Sequence, residues 1–367
     1  MIDFLNSFKS LVKVEKIYTD NNVFKLHYKV TVIMLIVFSI LLTSKQYFGD
    51  PIECDVENKR ELYNTFCWIY GSYTLPVRDG EKVLRGLGLD VNTYFDQRNE
   101  NHISTRTYHR YYQWVCIIFC FQALVFYMPR YLWKIWEGGR LRHLIKDLTG
   151  PVITPLWTNM AKDKLVTYLI GGKYAHNAYA LRYCVCELLN FLNVLGQIYF
   201  LNWFLMGQFF MYGINVLQNK QNNMSVIFPT LAKCTYYKYG PSGSMQNHDA
   251  LCVLPLNILN EKLFLILWFW LYILLAISAV AVLYRLLFMI VPAVRVYMHM
   301  GQVRSIGKKK ATMIVKSLSF GDFFVMYNIG KNVNPMVYKE LVNGVYDQVR
   351  TKETFSLSNT VCIEEVK

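Results

Sequence analysis

The sequence predicts an all-α membrane protein, a subunit built on a bundle of four transmembrane helices. Three observations predict it: four long apolar blocks, only 17% charged residues against 54% hydrophobic ones in a chain of 367, and a mean hydropathy of +0.20. Soluble domains carry about a quarter charged residues, so neither an ordinary cytosolic enzyme nor a disordered chain fits.

Taken in order, residues 1–27 form a cytoplasmic N-terminal segment. Its start, MIDFLNSFKSLVKV, sets Met1, Leu5, Phe8, Leu11 and Val12 at helical spacing, with Asp3, Asn6, Lys9 and Lys13 between them. That is an amphipathic helix, which either lies on the inner membrane surface or folds into a central pathway. Asp3, Lys9, Lys13 and Glu15 break any apolar run that a cleavable signal peptide would need. Ile2 in place of Gly, and Cys362 too far from the end, argue against lipidation.

The spans follow at 28–47, 111–133, 181–206 and 263–290, each long enough for a hydrocarbon core of about 30 Å. The second carries Tyr and Trp at both ends, as interfacial anchors do. Pro129 near its inner end marks a kink or a termination. Between the spans lie an outer loop at 48–110, an inner loop at 134–180 and a second outer loop at 207–262, and residues 291–367 complete a cytoplasmic domain and tail. Orientation follows from charge. Residues 1–29, 130–182 and 285–367 hold 26 Lys and Arg against 12 Asp and Glu, whereas 45–110 and 220–262 hold 13 against 12. The positive-inside rule therefore puts both termini and the central loop in the cytoplasm. The net charge of +14 is a matter of topology and gives no reason to invoke nucleic acid.

Four of the nine cysteines fall on outer loops, Cys54 and Cys67 on the first and Cys234 and Cys252 on the second. Two per loop in an oxidising compartment reads as a disulfide framework, within or between loops, with three pairings open. Cys184 and Cys186, two apart on a helix, point to different faces and make a poor metal site.

In the third span, Glu187, Asn190, Asn193 and Gln197 share one helical face, which turns polar groups inward, toward other helices or toward water. Asp50, Glu53, Asp55, Glu57 and Glu61 crowd the first outer loop, a solvated acidic stretch with divalent-cation sensing as the sharper option. Arg304 and Lys308 to Lys310 follow the last span, where they attract anionic lipid or a regulatory partner. Asn223-Met224-Ser225 on the second outer loop is a glycosylation sequon. Phosphate-binding loops, zinc-protease and nucleophile-elbow motifs and a dinucleotide fingerprint are all missing, so no enzyme, cofactor or metal site is expected.

Particular strings carry a resemblance. YYQWV (Tyr111 to Val115), DNNVFKLHYK before the first span, YFGDPIEC around Cys54 and PRYLWKIWEGGR (Pro129 to Arg140) are similar to the innexins, the invertebrate gap-junction proteins. So are CELLNFLNVLGQIY, KYGPSGSMQNHDALCVLPLNILNEK (Lys238 to Lys262) and GDFFVMYNIGKNVNP (Gly321 to Pro335), in register from about residue 15 to 345. The chain also resembles innexin-like proteins carried by viruses of parasitic wasps. The interval from Cys54 to Cys67, residues 78–107 and the tail after about 350 depart from the insect pattern.

The resemblance implies outer loops with short β-strands tied by Cys54–Cys252 and Cys67–Cys234, and a largely helical cytoplasmic domain. It also implies homo-oligomeric rings of eight subunits at cell–cell junctions of the plasma membrane, each docking with a ring of the same or another innexin. The N-terminal helix would then enter the pore, lined by Met1, Ile2, Asp3, Leu5 and Asn6, with Asp3 influencing cation preference. YYKYG (Tyr236 to Gly240) is the expected edge strand for docking, through Tyr236, Tyr237, Lys238 and Tyr239. An undocked hemichannel, favoured by a glycan on Asn223, and a non-conducting adhesion protein are the competing readings.

Overall fold

The computed structural model describes residues 17–56, 59–74, 107–109, 111–146, 148, 159–171, 174–218, 227–303 and 306–364. Four helices among them are long and apolar enough to cross a membrane: α1 (Asn22–Phe48), α3 (Val115–Glu137), α6 (Asn177–Phe204) and α8 (Pro255–Ile290). Their outward residues are large and apolar, as at Leu124, Val280 and Leu283. In water such a surface would drive aggregation; in a bilayer it meets a matching solvent. The chain divides within each of these helices into two compact units.

One unit comprises residues 1–30, 126–192 and 276–367. Its other described helices are α4 (Arg140–Ile145), α5 (Asn159–Gly171), α9 (Pro292–Gln302), α10 (Lys308–Ser317), α11 (Phe320–Asn332) and α12 (Pro335–Glu364). Their core is strongly aromatic: Tyr183 lies 4.9 Å from Trp133, 5.2 Å from Phe324 and 5.9 Å from Phe24, ring centre to ring centre. Helix α11 is buried along most of its length. Ser319 caps it, its Oγ accepting the Asp322 N–H. At Gly321 the approach is so close that a Cβ would stand 2.3 Å from the His176 carbonyl carbon.

Helix α3 runs through Pro129 to Glu137, so the proline does not terminate it; the stop comes from Gly138 and Gly139, both at positive φ. Glu137 then turns back and accepts the Gly139 and Leu141 N–H groups at 2.7 and 2.8 Å, satisfying the start of α4. The EGGR string is thus a helix–turn–helix corner. Helix α1 also departs from regularity, with a π-helical turn over Leu26–Thr31. Within it His27 meets Ser278 at 2.8 Å, and the Tyr28 hydroxyl donates to Asp20 at 2.9 Å.

The other unit holds residues 31–125 and 193–275. Here a five-stranded antiparallel sheet is built from β1 (Glu53–Asp55), β2 (Ser72–Thr74), β3 (Thr107–His109), β4 (Leu231–Tyr239) and β5 (Met245–Val253). The order is β1-β5-β4-β2-β3, so strands from both outer loops interleave in one sheet. Helices α2 (Arg60–Tyr70) and α7 (Tyr212–Leu217) and a 3-10 turn at Tyr111–Gln113 complete the described elements. Beyond the sheet, Phe38, Phe119, Phe264, Phe228 and Tyr212 form a chain of ring contacts. Gly213 lets α7 lie against Trp268, for a Cβ there would stand 2.2 Å from the indole.

Candidate docking hairpin and buried charge cluster

The outer site is assembled from two loops that share no nearby sequence. Cys54 on β1 is bonded to Cys252 on β5, its register partner across the sheet, and Cys67 on α2 is bonded to Cys234 on β4. All four cysteines are buried, in a small core with Ile52, Tyr63, Ala232, Ala250 and Leu254. The sulfurs of Cys54, Cys67 and Cys252 lie within 4.8 Å of one another, a spacing a soft metal would accept, but all are consumed by the two disulfides. The Glu53 carboxylate pairs with Arg60, and among the described residues no three carboxylates converge. The divalent-cation option for the acidic loop finds no support there.

From this stapled base the β4–β5 hairpin projects in unbroken register, from Leu231 opposite Val253 to Tyr239 opposite Met245. Backbone bonds from Gly240 to Ser244 and from Gly243 to Gly240 close its turn, where Gly243 sits at φ +74°. The inner half alternates buried and half-exposed; the outer half, Tyr237 to Tyr239 and Met245 to Asp249, is exposed on both faces. Two features bear on the edge strand expected at YYKYG. Strand β4 lies inside the sheet, and β2 meets it only at Lys233 opposite Tyr73, so only its outer stretch presents a free edge among the described residues. Tyr236 is half-buried, its ring 4.5 Å from Tyr63 and 4.9 Å from Phe66. It braces the hairpin, while Tyr237, Lys238 and Tyr239, the last 73% exposed, are the groups free for contact.

The second constellation belongs to the first unit. Asp20, just ahead of α1, accepts Arg130 Nη1 of α3 at 2.6 Å, with the Tyr28 hydroxyl also donating to it; both charged side chains are buried. Glu187 of α6 and Arg285 of α8 form a bidentate pair, Nε to Oε2 at 2.5 Å and Nη2 to Oε1 at 2.8 Å. The guanidinium sits 5.1 Å from the Tyr183 ring centre and 5.4 Å from that of Phe324. Asn21 ties the two pairs together, its amide N–H donating to the Tyr183 hydroxyl and its side chain to Glu187. Fully bonded in this way, buried charge is tolerated.

The polar face of α6 is therefore divided in role. Glu187 is committed to Arg285. Asn193 accepts from Gln197 at 3.3 Å, and Asn190, only 2% exposed, keeps a side-chain N–H without a partner among the described residues. Sequence reasoning missed Asp20, Arg130 and Arg285. The signal was present, since a lone carboxylate inside a span requires a cation at matching depth, and Arg285 is the one charge on the last spanning helix beyond its outer end.

A third polar knot joins α6 to α11. Asp322 accepts from His176 Nδ1 at 2.8 Å and from Ser319 Oγ at 2.6 Å, while Asn177 Oδ1 accepts the Gly321 N–H at 2.8 Å and lies 2.9 Å from the same Ser319 Oγ. Burial opposes ionisation of Asp322, but bonds from His176, Ser319 and the Tyr174 backbone outweigh it and hold the carboxyl below its ordinary range. Of the basic run, Lys308 lies over the Tyr297 ring and Lys310 over that of Tyr346. Met1, Ile2, Asp3, Leu5 and Asn6, the sequon at Asn223, and Arg304 fall outside the described residues.

Comparison with known proteins adds a family. The sequence model described as "Innexin" matches residues 20–349. The chain is 44% identical over 356 residues to Innexin inx2 of Drosophila melanogaster, covering 94% of this chain and 95% of that one. It is 44% identical over 361 residues to Innexin inx2 of Schistocerca americana, covering 96% and 99%. To Innexin shaking-B of Drosophila melanogaster it is 36% identical over 359 residues, covering 95% of each.

Proposed function

This chain belongs to the innexin family, a multi-pass plasma-membrane protein with cytoplasmic termini, and from that premise we propose that it is the subunit of a large-pore channel docking between adjacent cells. Several copies, eight by the family resemblance, ring a water-filled axis; two rings meet head to head, and ions and small metabolites pass without any catalytic step. The bilayer-embedded stretches are 28–47, 111–133, 181–206 and 263–290. Met1, Ile2, Asp3, Leu5 and Asn6 line the entrance, where Asp3 biases the pore toward cations.

The observation that carries this reading is the hairpin held at its base by two buried disulfides between loops. An interface that must form repeatedly in one shape gains affinity from such preorganisation, and Tyr237, Lys238 and Tyr239 offer aromatic and polar contact beside a free strand edge. The ion pairs at Glu187 and Arg130 leave those charges to packing within the subunit rather than to solute.

Paired-cell recording tests the reading. Current and small-dye passage between expressing pairs, with little leak in single cells, is the expected result. Current confined to single cells would make the protein a hemichannel, and adhesion without conductance would overturn the channel.

A further inference from the structure

On the cytoplasmic side, a cavity of 480 Å³ opens between the start of α4, the helix α5 and the segment entering α6, lined by Arg140, Lys164, Thr167, Tyr168 and His176 among others. Among the described residues no carboxylate lines it. Two side chains at its wall are cations and two carry hydroxyls, a donor-rich set that leaves a ligand to supply the acceptors. Its volume matches a small-molecule site and exceeds what one bare phosphate would fill.

His176 differs from the exposed cations around it. It is buried, its Nδ1 is held by the Asp322 carboxylate at 2.8 Å, and the Tyr168 ring stands edge-on at 5.0 Å. That contact fixes the ring and leaves Nε2 as its nitrogen for an outside partner. Asp322 is itself fastened by Ser319 and by the Tyr174 backbone, so the dyad is rigid before any ligand arrives.

Position narrows the class of ligand. Arg140 lies three residues beyond Glu137, where the second spanning helix ends, and His176 immediately precedes Asn177, where the third begins. Both span ends are cytoplasmic, at the height of inner-leaflet head groups. We propose that this cavity binds a phosphorylated inositol ring, its clustered phosphates taken by Arg140, Lys164 and His176, with Thr167 and Tyr168 beside the ring. The same chemistry is offered by a soluble inositol phosphate and by a phosphoinositide head group.

The test uses the full chain in phosphatidylcholine nanodiscs. Calorimetry with soluble inositol trisphosphate forms one arm, and nanodiscs doped with phosphatidylinositol 4,5-bisphosphate form the other. Arg140→Gln with Lys164→Gln removes two exposed cations without touching the Asp322 knot, and Lys309→Gln with Lys339→Gln removes two elsewhere. Saturable binding is expected, weakened about tenfold or more in the first variant and unchanged in the second. Saturation by the soluble probe assigns a free ligand, and saturation only in the doped bilayer assigns the lipid. Absence of binding in both arms, or equal loss in both variants, would overturn the site.

Discussion

Removing one disulfide of the outer cap should loosen the hairpin by a predictable amount. The bridges close spans of 198 and 167 residues, which suggests two large and similar contributions. They are nested, however. With Cys67–Cys234 intact, breaking Cys54–Cys252 opens a ring of only the 31 residues by which the two spans differ. Chain entropy then assigns about 4 kcal/mol to whichever pair is removed first, and up to about 5 kcal/mol to the second, whose ring closes the full 198 or 167 residues. Cys54→Ala with Cys252→Ala, and Cys67→Ala with Cys234→Ala, should therefore cost nearly the same. Amide hydrogen exchange in β4 and β5 reads this directly, since opening the cap exposes those N–H groups. Protection should fall by roughly 500- to 1,000-fold in either double variant, and further in the quadruple one. A fall below about tenfold would mean that the interleaved sheet and the small core around Tyr63 hold the cap unaided, and the stapled-base argument would be wrong.

Three other outcomes follow. Glu187→Gln should destabilise the detergent-purified protein by about 3–5 kcal/mol by stranding Arg285, whereas Glu187→Met with Arg285→Met should melt near wild type; a double variant as unstable as the single would show that the pair itself is required. Gly321→Ala should abolish monodisperse protein in size-exclusion chromatography, because its methyl would overlap the His176 carbonyl, while Gly301→Ala, with open space around it, should be tolerated. Burial holds the His299 imidazole down to about 4 from its ordinary 6.5, and neither ring nitrogen has a partner among the described residues. The folded state thus resists a proton that the unfolded state accepts. Stability is full above pH 6.5 and falls as pH drops toward 4, by about 2 kcal/mol at pH 5. Limited proteolysis of the cytoplasmic helices across that range should show the loss in wild type and flatten it in His299→Leu.

The reach of sequence reasoning is clearest element by element. Spans were legible because lipid imposes a length and a polarity on every helix that crosses it, and orientation was legible because Lys and Arg are retained on one side. The cysteines sorted by compartment for a similarly local reason. The corner at Gly138–Gly139 was present in EGGR, but its cause, Glu137 folding back onto the next helix, needed coordinates. Of the two roles expected of Pro129, termination is excluded, since the helix runs on to Glu137.

By itself, then, the sequence determined four membrane crossings, their orientation, a thiol framework outside and a helical interior domain. Tertiary structure alone decided which distant groups meet: Glu187 with Arg285, Asp20 with Arg130, and the base of β4 with β2. The physical reason is range. Helix formation and bilayer insertion depend on neighbours within a few turns, so periodicity and composition report them. These ion pairs, and the pairing of β1 with β5 and of β2 with β4, depend on contacts between residues roughly a hundred or more apart, which no local pattern encodes.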